Sequence, residues 1–236
     1  MSALSDLQTY LNHYRQLPHH SDAALSQKLK EVQSWQRARI KNTHQALFSQ
    51  PQNVPMAHYF VNKLYGGDEF DILAKQLERI VPKAQKLERL APAAALDTGS
   101  RAIHSAIVAT ELDLHLAEWL LEKNLPVNED SMLLAYREVD EADERREQLA
   151  SLKDVCYRTD KYINSFMLQK AFALAKGTAY KYNYQPLYDF MAEGFAAMKP
   201  LRNVASFIEP VCERELQIID HVHQPNNDGR IEPFGV

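Results

Sequence analysis

Apolar side chains recur every three or four residues along nearly the whole chain, which is the period of an amphipathic α-helix. Pro18 interrupts the first helical segment, and Ser21 is placed to cap a long second helix that continues to about Phe48. We expect helices at about 3–16, 22–48, 55–65, 69–90, 99–124, 129–139, 141–163, 166–182, 186–199 and 201–222. The pattern predicts an all-α bundle of about eight to ten helices with essentially no sheet.

The distribution of turn-forming residues indicates how this bundle is divided. Pro82 falls within the segment 69–90 and should kink or split that helix. The chain shows no internal repeat and no linker long enough to separate two domains. We therefore expect a single helical domain over residues 1–223. Pro, Asn, Asp and Gly dominate residues 224–236, which predicts a loosely ordered C-terminal tail.

The charge pattern argues against nucleic acid as a partner. The formal net charge is −4, and the chain lacks the dominant basic footprint of a nucleic-acid-binding domain. The run from Lys176 to Tyr184 alternates lysines with aromatic residues. This run is interpreted as a helix end that enters a loop, with a base-stacking surface as the alternative.

The cysteine pattern and the N-terminal residues predict a location. Cys156 and Cys212 lie far apart on helical patterns, which is typical of buried thiols in a reducing compartment. The N-terminal residues lack the pattern of a signal peptide, and no segment approaches the ~18 apolar residues of a membrane-spanning helix. We expect a cytoplasmic protein that does not bind membranes.

One short segment relates the chain to a family. Residues 59–65 read Tyr-Phe-Val-Asn-Lys-Leu-Tyr and resemble the signature of the uncharacterised bacterial FFLEELY-motif proteins. Further similar segments follow in the same order and extend the likeness to about residues 30–222. They are Trp35-Gln36, Thr43-His44, Arg79–Pro82, Leu112-Asp113, Ala135–Arg137, Arg145–Leu149, Glu193–Phe195 and Arg214-Glu215. The resemblance implies an all-helical protein of unknown activity.

The chain departs from this signature at its polar positions. Asn62 and Lys63 stand where the signature has two glutamates, so a mechanism that needs those carboxylates is excluded for this chain. Phe60 and Leu64 are four residues apart and should lie on one helical face, while positions 62 and 63 face water. The motif is therefore interpreted as a packing element.

Four polar residues lie on helical faces that are otherwise apolar: Asp113, Arg145, Glu215 and Gln36. An isolated buried charge costs several kcal/mol, so each charge must be paired, shift its pKa or contact a ligand. One interpretation is an internal network in which Arg145 joins Asp113 and Glu215 across three helices. The other is a polar pocket inside the helical shell that binds a small molecule.

A polar strip on the helix 99–124 is a weaker candidate for metal binding. Each residue advances about 100° around a helix, and this advance places four side chains in one strip: His104, Glu111, His115 and Glu118. Imidazoles and carboxylates four residues apart can share an ion, whereas the alternative is a solvated edge of the helix. The paired Glu-x-x-His pattern of di-iron bundles is absent from the sequence.

Other catalytic motifs are absent from the sequence. No pattern supports a nucleophile with its base, a phosphate-binding loop or a Cys/His zinc cluster. His19 and His20 lie at a chain break, and His221 and His223 lie near the tail, so we expect all four on the surface.

Two functional classes follow from these observations. We favour a non-catalytic helical protein, without a cofactor, that acts by self-association or by binding a protein partner. The alternative is a helical enzyme or carrier that holds a metal, haem or small molecule in a polar pocket of the bundle. This comparison with helical carriers rests on fold analogy.

Overall fold

The structure, a computed structural model, describes residues 2–65, 67–83, 93–201, 203–223 and 234. These residues form eleven α-helices and no strand, which confirms the predicted all-α fold. The helices are α1 Ala3–Gln16, α2 Ala23–Thr43, α3 Gln45–Phe48, α4 Val54–Tyr59, α5 Asp68–Ile80, α6 Ala93–Glu122, α7 Glu129–Val139, α8 Ala142–Ile163, α9 Phe166–Lys181, α10 Gln185–Met198 and α11 Ala205–His223.

The predicted helix 22–48 differs from the structure at both ends. Asp22, not Ser21, caps α2, because its carboxylate accepts hydrogen bonds from the backbone amides of Ala24 at 2.9 Å and Leu25 at 3.0 Å. The Ser21 hydroxyl instead donates to the carbonyl of Pro18. At the other end, His44 separates α2 from the short helix α3.

Over the described residues, the observed helix is shorter than the helix predicted at 69–90. α5 ends at Ile80, and residues 81–83 form a 3₁₀ turn. Pro82 explains this change, because it lacks a backbone N–H and disfavours the helical conformation of the preceding residue. The expected continuation over residues 84–90 lies outside the described residues.

The expected C-terminal tail also lies outside the described residues, apart from Phe234. This side chain is 2% exposed. Its ring packs edge-on against Trp35 and Tyr136, with centroid distances of 4.9 and 5.7 Å. At this one position, the segment after α11 contributes to the core.

The long helix α6 forms the centre of the bundle. It packs against α1, α2, α7 and α8, and α11 closes the opposite side against α7 and α8. Side chains on several faces of α6, including Ile103, Ala106 and Leu116, are almost completely buried. Polar residues on the inward faces of these helices are therefore brought close together. Over the described residues, none of the helices combines the length and the apolar character that crossing a bilayer requires.

The motif that carries the family resemblance contains a change of helix type. After α4, residues Phe60–Leu64 form a π-helical turn. Phe60 and Leu64 are buried as the spacing predicts, while Asn62 and Lys63 are partly exposed. A π-turn holds one more residue than an α-turn, and such turns are frequent at functional sites. Here it positions Tyr65, which follows the turn.

Candidate functional site

Glu215 on α11 is held by a buried ion pair with α2. Arg39 donates from Nη1 to Oε1 at 2.9 Å and from Nη2 to Oε2 at 2.7 Å, and His44 Nε2 lies 2.8 Å from Oε1. Burial disfavours the ionised carboxylate, but Arg39 and His44 outweigh burial and lower the pKa of Glu215 to about 2. The expected pairing of Glu215 with Arg145 is wrong, because the two-pronged guanidinium of Arg39 occupies both carboxylate oxygens.

Asp113 on α6 forms the second charged centre and is 1% exposed. Its Oδ1 accepts a hydrogen bond from Gln36 Nε2 at 3.3 Å, and its Oδ2 accepts one from the Tyr65 hydroxyl at 3.0 Å. Arg145 Nη1 lies 3.9 Å from Oδ1, so the predicted proximity of Asp113 and Arg145 is observed. Burial raises the pKa of Asp113, although Arg145 and the two hydrogen bonds partly offset this effect.

Gln36 on α2 connects the two charged centres. Its Oε1 accepts a hydrogen bond from Arg39 Nε at 3.2 Å. Its Nε2 donates to Asp113 and also to the hydroxyl of Tyr136 on α7. A single side-chain amide thus links the Arg39–Glu215 pair with Asp113, and the polar atoms form one continuous network across α2, α6, α7 and α11.

Arg145 on α8 differs from Arg39 in how its donors are used. Arg145 Nη2 donates to the carbonyl of Leu112 at 3.0 Å, which is the single hydrogen bond of this guanidinium within the described parts of the chain. The guanidinium carbon lies 4.4 Å from the ring centroid of Tyr136. Burial opposes the charge, but Tyr136 and Asp113 outweigh it and raise the pKa of Arg145. A guanidinium carries five N–H donors, so most donors of Arg145 lack a protein acceptor at hydrogen-bond distance in this part of the chain.

A cavity of about 70 Å³ adjoins this network. Its polar wall includes Gln36, Arg39, Tyr136, Arg145 and Glu215. The rest of its lining is mostly apolar and includes Ile40, Phe60, Leu149, Leu152 and Val211.

A second cavity, of about 40 Å³, lies beside the first. The two cavities share Leu64, Ala102 and Val155 in their walls. The second cavity is lined mainly by apolar groups, among them Met56 and Phe190. Together the cavities have a polar end and an apolar end, which suits a small molecule that carries both kinds of group.

Sequence reasoning missed four members of the network: Arg39, His44, Tyr65 and Tyr136. Three of them occur in segments that carry the family resemblance, since His44 and Tyr136 belong to quoted segments and Tyr65 ends the motif itself. Their position in those segments is the signal that could have identified these three residues. No comparable sequence signal exists for Arg39, because it is one of several basic residues along α2 and its burial depends on α11.

The polar strip on α6 does not converge on one point in the described structure. Among the described residues, no three ligand atoms of His104, Glu111, His115 and Glu118 lie within 4.8 Å of one another. Three of the four have other partners: His104 stacks on Tyr10, Glu111 pairs with His13, and His115 pairs with Glu141. The geometry therefore favours separate contacts along α6 over a shared ion.

The expectation of a surface position is wrong for His19. This side chain is 8% exposed, and its ring packs edge-on against Tyr14 at 5.7 Å. The turn between α1 and α2 folds it inward, whereas His20 is exposed. At the other end of the chain, His221 and His223 are partly exposed.

Comparison with known proteins identifies a family. No curated protein and no solved structure matches the chain. A family described as a domain of unknown function, DUF8198, matches residues 15–229. That range includes every member of the polar network, from Gln36 on α2 to Glu215 on α11. The match covers most of the chain, which therefore belongs to the DUF8198 family.

Proposed function

We propose that the protein binds a small molecule in the cavity beside Arg145. The observation that carries this proposal is the buried guanidinium of Arg145, which lines the cavity and makes one hydrogen bond within the described chain. Arg145 therefore has donors that an acceptor bound in the cavity can satisfy, and hydrogen bonds to a charged group are among the stronger ones. In the same network, each of the three nitrogens of Arg39 donates a hydrogen bond to Gln36 or Glu215.

The cavity indicates the chemistry of this ligand. Arg145 favours a group with oxygen acceptors, such as a carbonyl or a carboxylate. The mostly apolar lining favours a short apolar body attached to that group. The volume of about 70 Å³ is roughly half of the ~150 Å³ cavity that holds benzene in another protein. The ligand therefore has few non-hydrogen atoms, or it extends into the second cavity past Ala102.

The network supports binding more than catalysis. Arg39 and His44 occupy the carboxylate of Glu215, and burial keeps the pKa of Tyr65 well above its ordinary value. Asp113 is held by Gln36 and Tyr65. Each of these groups is engaged in positioning its neighbours, which is the arrangement of a rigid binding site.

A cytoplasmic location belongs to the same proposal. Cys156 and Cys212 are buried free thiols. Burial raises the pKa of Cys156 to about 12 and that of Cys212 to about 11, so both stay protonated and unreactive near neutral pH. Such thiols suit a reducing compartment.

Filling the cavity tests the proposal. We expect Ala102→Leu to add three carbon atoms between the two cavities, and filling a cavity commonly retains or raises stability. The probes are short-chain carboxylates from propionate to hexanoate together with their amides. At about 100 times its Kd, a bound probe should stabilise the wild-type protein by about 2.7 kcal/mol in thermal denaturation.

The control for this experiment is Ala150→Leu, which adds the same atoms at an exposed position on α8. We expect this variant to respond to the probes as the wild-type protein does, while Ala102→Leu does not respond. Equal stabilisation of wild type and Ala102→Leu, or no stabilisation of the wild-type protein by any probe, would contradict the proposal.

Self-association through α9 is a second candidate, favoured by a separate observation. Phe166, Met167 and Leu174 are 70%, 81% and 81% exposed on this helix. Large apolar side chains gathered on one element often mark a protein interface. This candidate concerns the outer surface, so it is compatible with a ligand in the cavity, and the oligomeric state in solution tests it.

A further inference from the structure

Three residues that can bind metals meet where the turn between α1 and α2 touches α5. His19 and His20 belong to the 3₁₀ turn Pro18–His20, and Asp71 lies in the first turn of α5. One ligand atom from each residue lies within 4.8 Å of the corresponding atoms of the other two. The turn and α5 are distant in sequence, so the fold creates this group.

The state of His19 suits a metal ligand. Its side chain is buried, and its Nδ1 has no hydrogen-bond partner among the described residues. A buried nitrogen without a hydrogen-bond partner is destabilising, and a metal ion can supply the missing partner, since imidazole nitrogens are common metal ligands.

Asp71 supplies the negative charge of the group. The Tyr14 hydroxyl donates to Asp71 Oδ1 at 2.6 Å and orients the carboxylate, as outer partners of metal ligands do. Lys75 Nζ lies 3.4 Å from Oδ2 and is the nearby cation.

We propose that His19, His20 and Asp71 bind a divalent transition-metal ion of the zinc class. Two imidazoles and one carboxylate are a donor set that zinc accepts, with a solvent molecule in the fourth position. Zinc ligands bond at about 2.0–2.2 Å, which places them roughly 3.4 Å apart. The three ligand atoms, which lie within 4.8 Å of one another, must therefore draw closer around the ion. The bound ion would fasten the turn between α1 and α2 to α5.

This site is separate from the proposed ligand cavity. None of His19, His20 and Asp71 lines either cavity. Loss of a metal ligand therefore leaves the network around Arg145 intact, and each proposal can fail without the other.

Zinc titration of the full chain tests the proposal. After treatment with a chelator, we expect the wild-type protein to bind one Zn²⁺ per chain in isothermal titration calorimetry. The exposed position of His20 means that His20→Ala should keep the fold, which circular dichroism checks. Loss of this ligand should weaken Zn²⁺ binding by about 100-fold or more, since even outer partners contribute roughly 10–100-fold.

Two further variants sharpen the assignment. His58→Ala removes an exposed histidine of α4 and should bind Zn²⁺ as the wild-type protein does. Lys75→Ala removes the ammonium beside Asp71 and should bind Zn²⁺ more tightly. No Zn²⁺ binding by the wild-type protein, equal binding by wild type and His20→Ala, or unchanged affinity in Lys75→Ala would overturn the proposal.

Discussion

Two arginines in one buried network have different numbers of protein partners. Arg39 directs Nε to Gln36 and both terminal nitrogens to Glu215. Arg145 stacks on Tyr136, lies 3.9 Å from Asp113 and makes one hydrogen bond within the described chain. Because the planar guanidinium presents its donors in fixed directions, the placement of each arginine determines how many protein acceptors it reaches. Arg39 completes a structural ion pair, and Arg145 has donors left for a ligand.

The Arg39–Glu215 pair should make stability depend on pH in acid. Glu215 has a pKa of about 2 in the folded protein against an ordinary value of 4.5. A lowered pKa contributes stability that is fully present above pH 4.5 and is lost as the pH falls towards 2. The shift corresponds to about 3 kcal/mol. Urea denaturation between pH 5 and pH 2 measures this loss.

The control for the pH dependence is Glu215→Gln, which removes the titrating group. Its overall stability should be lower, because Arg39 then lacks its counter-charge. Its loss of stability between pH 4.5 and 2 should nevertheless be about 3 kcal/mol smaller than in the wild-type protein. Parallel pH profiles for the two proteins would show that Glu215 is not the group responsible.

At the scale of elements, the motif after α4 combines packing with positioning. The spacing of Phe60 and Leu64 is enough to predict that both are buried. The π-turn over residues 60–64 cannot be read from that spacing, because its extra residue depends on contacts with the rest of the bundle. Its consequence is that Tyr65 reaches Asp113 at 3.0 Å. The motif thus contributes a hydrogen-bond donor to the site as well as apolar contacts.

The exposed face of α9 leads to a prediction about assembly. If α9 mediates self-association, Met167→Glu and Leu174→Glu should shift the protein towards monomers, because each places a charge in an apolar contact. Sedimentation velocity over a range of concentrations measures this shift. As a control, Ala150→Glu adds the same charge at an exposed position on α8 and should leave the association unchanged. A wild-type protein that stays monomeric at all concentrations contradicts this candidate.

Sequence patterns predict structure among residues that are near one another in the chain, and they fail for contacts between distant residues. The period of apolar residues predicts most helices, and it also singles out Asp113 and Arg145, which the structure places 3.9 Å apart. It cannot predict that Glu215 pairs with Arg39, because that contact joins residues 176 positions apart. The contact between the His44 ring and Glu215 is beyond prediction for the same reason, since it also joins two helices that are distant in sequence.

At the scale of the whole molecule, the bundle places a polar network inside an apolar shell. Helices α2, α6, α7, α8 and α11 each contribute a side chain to it. Gln36 joins its two charged centres, and Arg145 lines the cavity together with Arg39 and Glu215. The central claim is that the Arg39 centre maintains the fold while the Arg145 centre binds a ligand.

A matched pair of substitutions tests this claim most directly: Arg145→Lys and Arg39→Lys, compared by calorimetric titration with a probe that binds the wild-type protein. Both keep the charge and remove the planar fork of donors. We expect Arg145→Lys to weaken binding by roughly 10–100-fold, because a hydrogen bond to a charged group contributes about 1.5–3 kcal/mol. Arg39→Lys should lower the free energy of unfolding and weaken binding much less than Arg145→Lys, because the nitrogens of Arg39 already donate to Gln36 and Glu215. Wild-type affinity in Arg145→Lys, or equal loss of affinity in both variants, would contradict the claim.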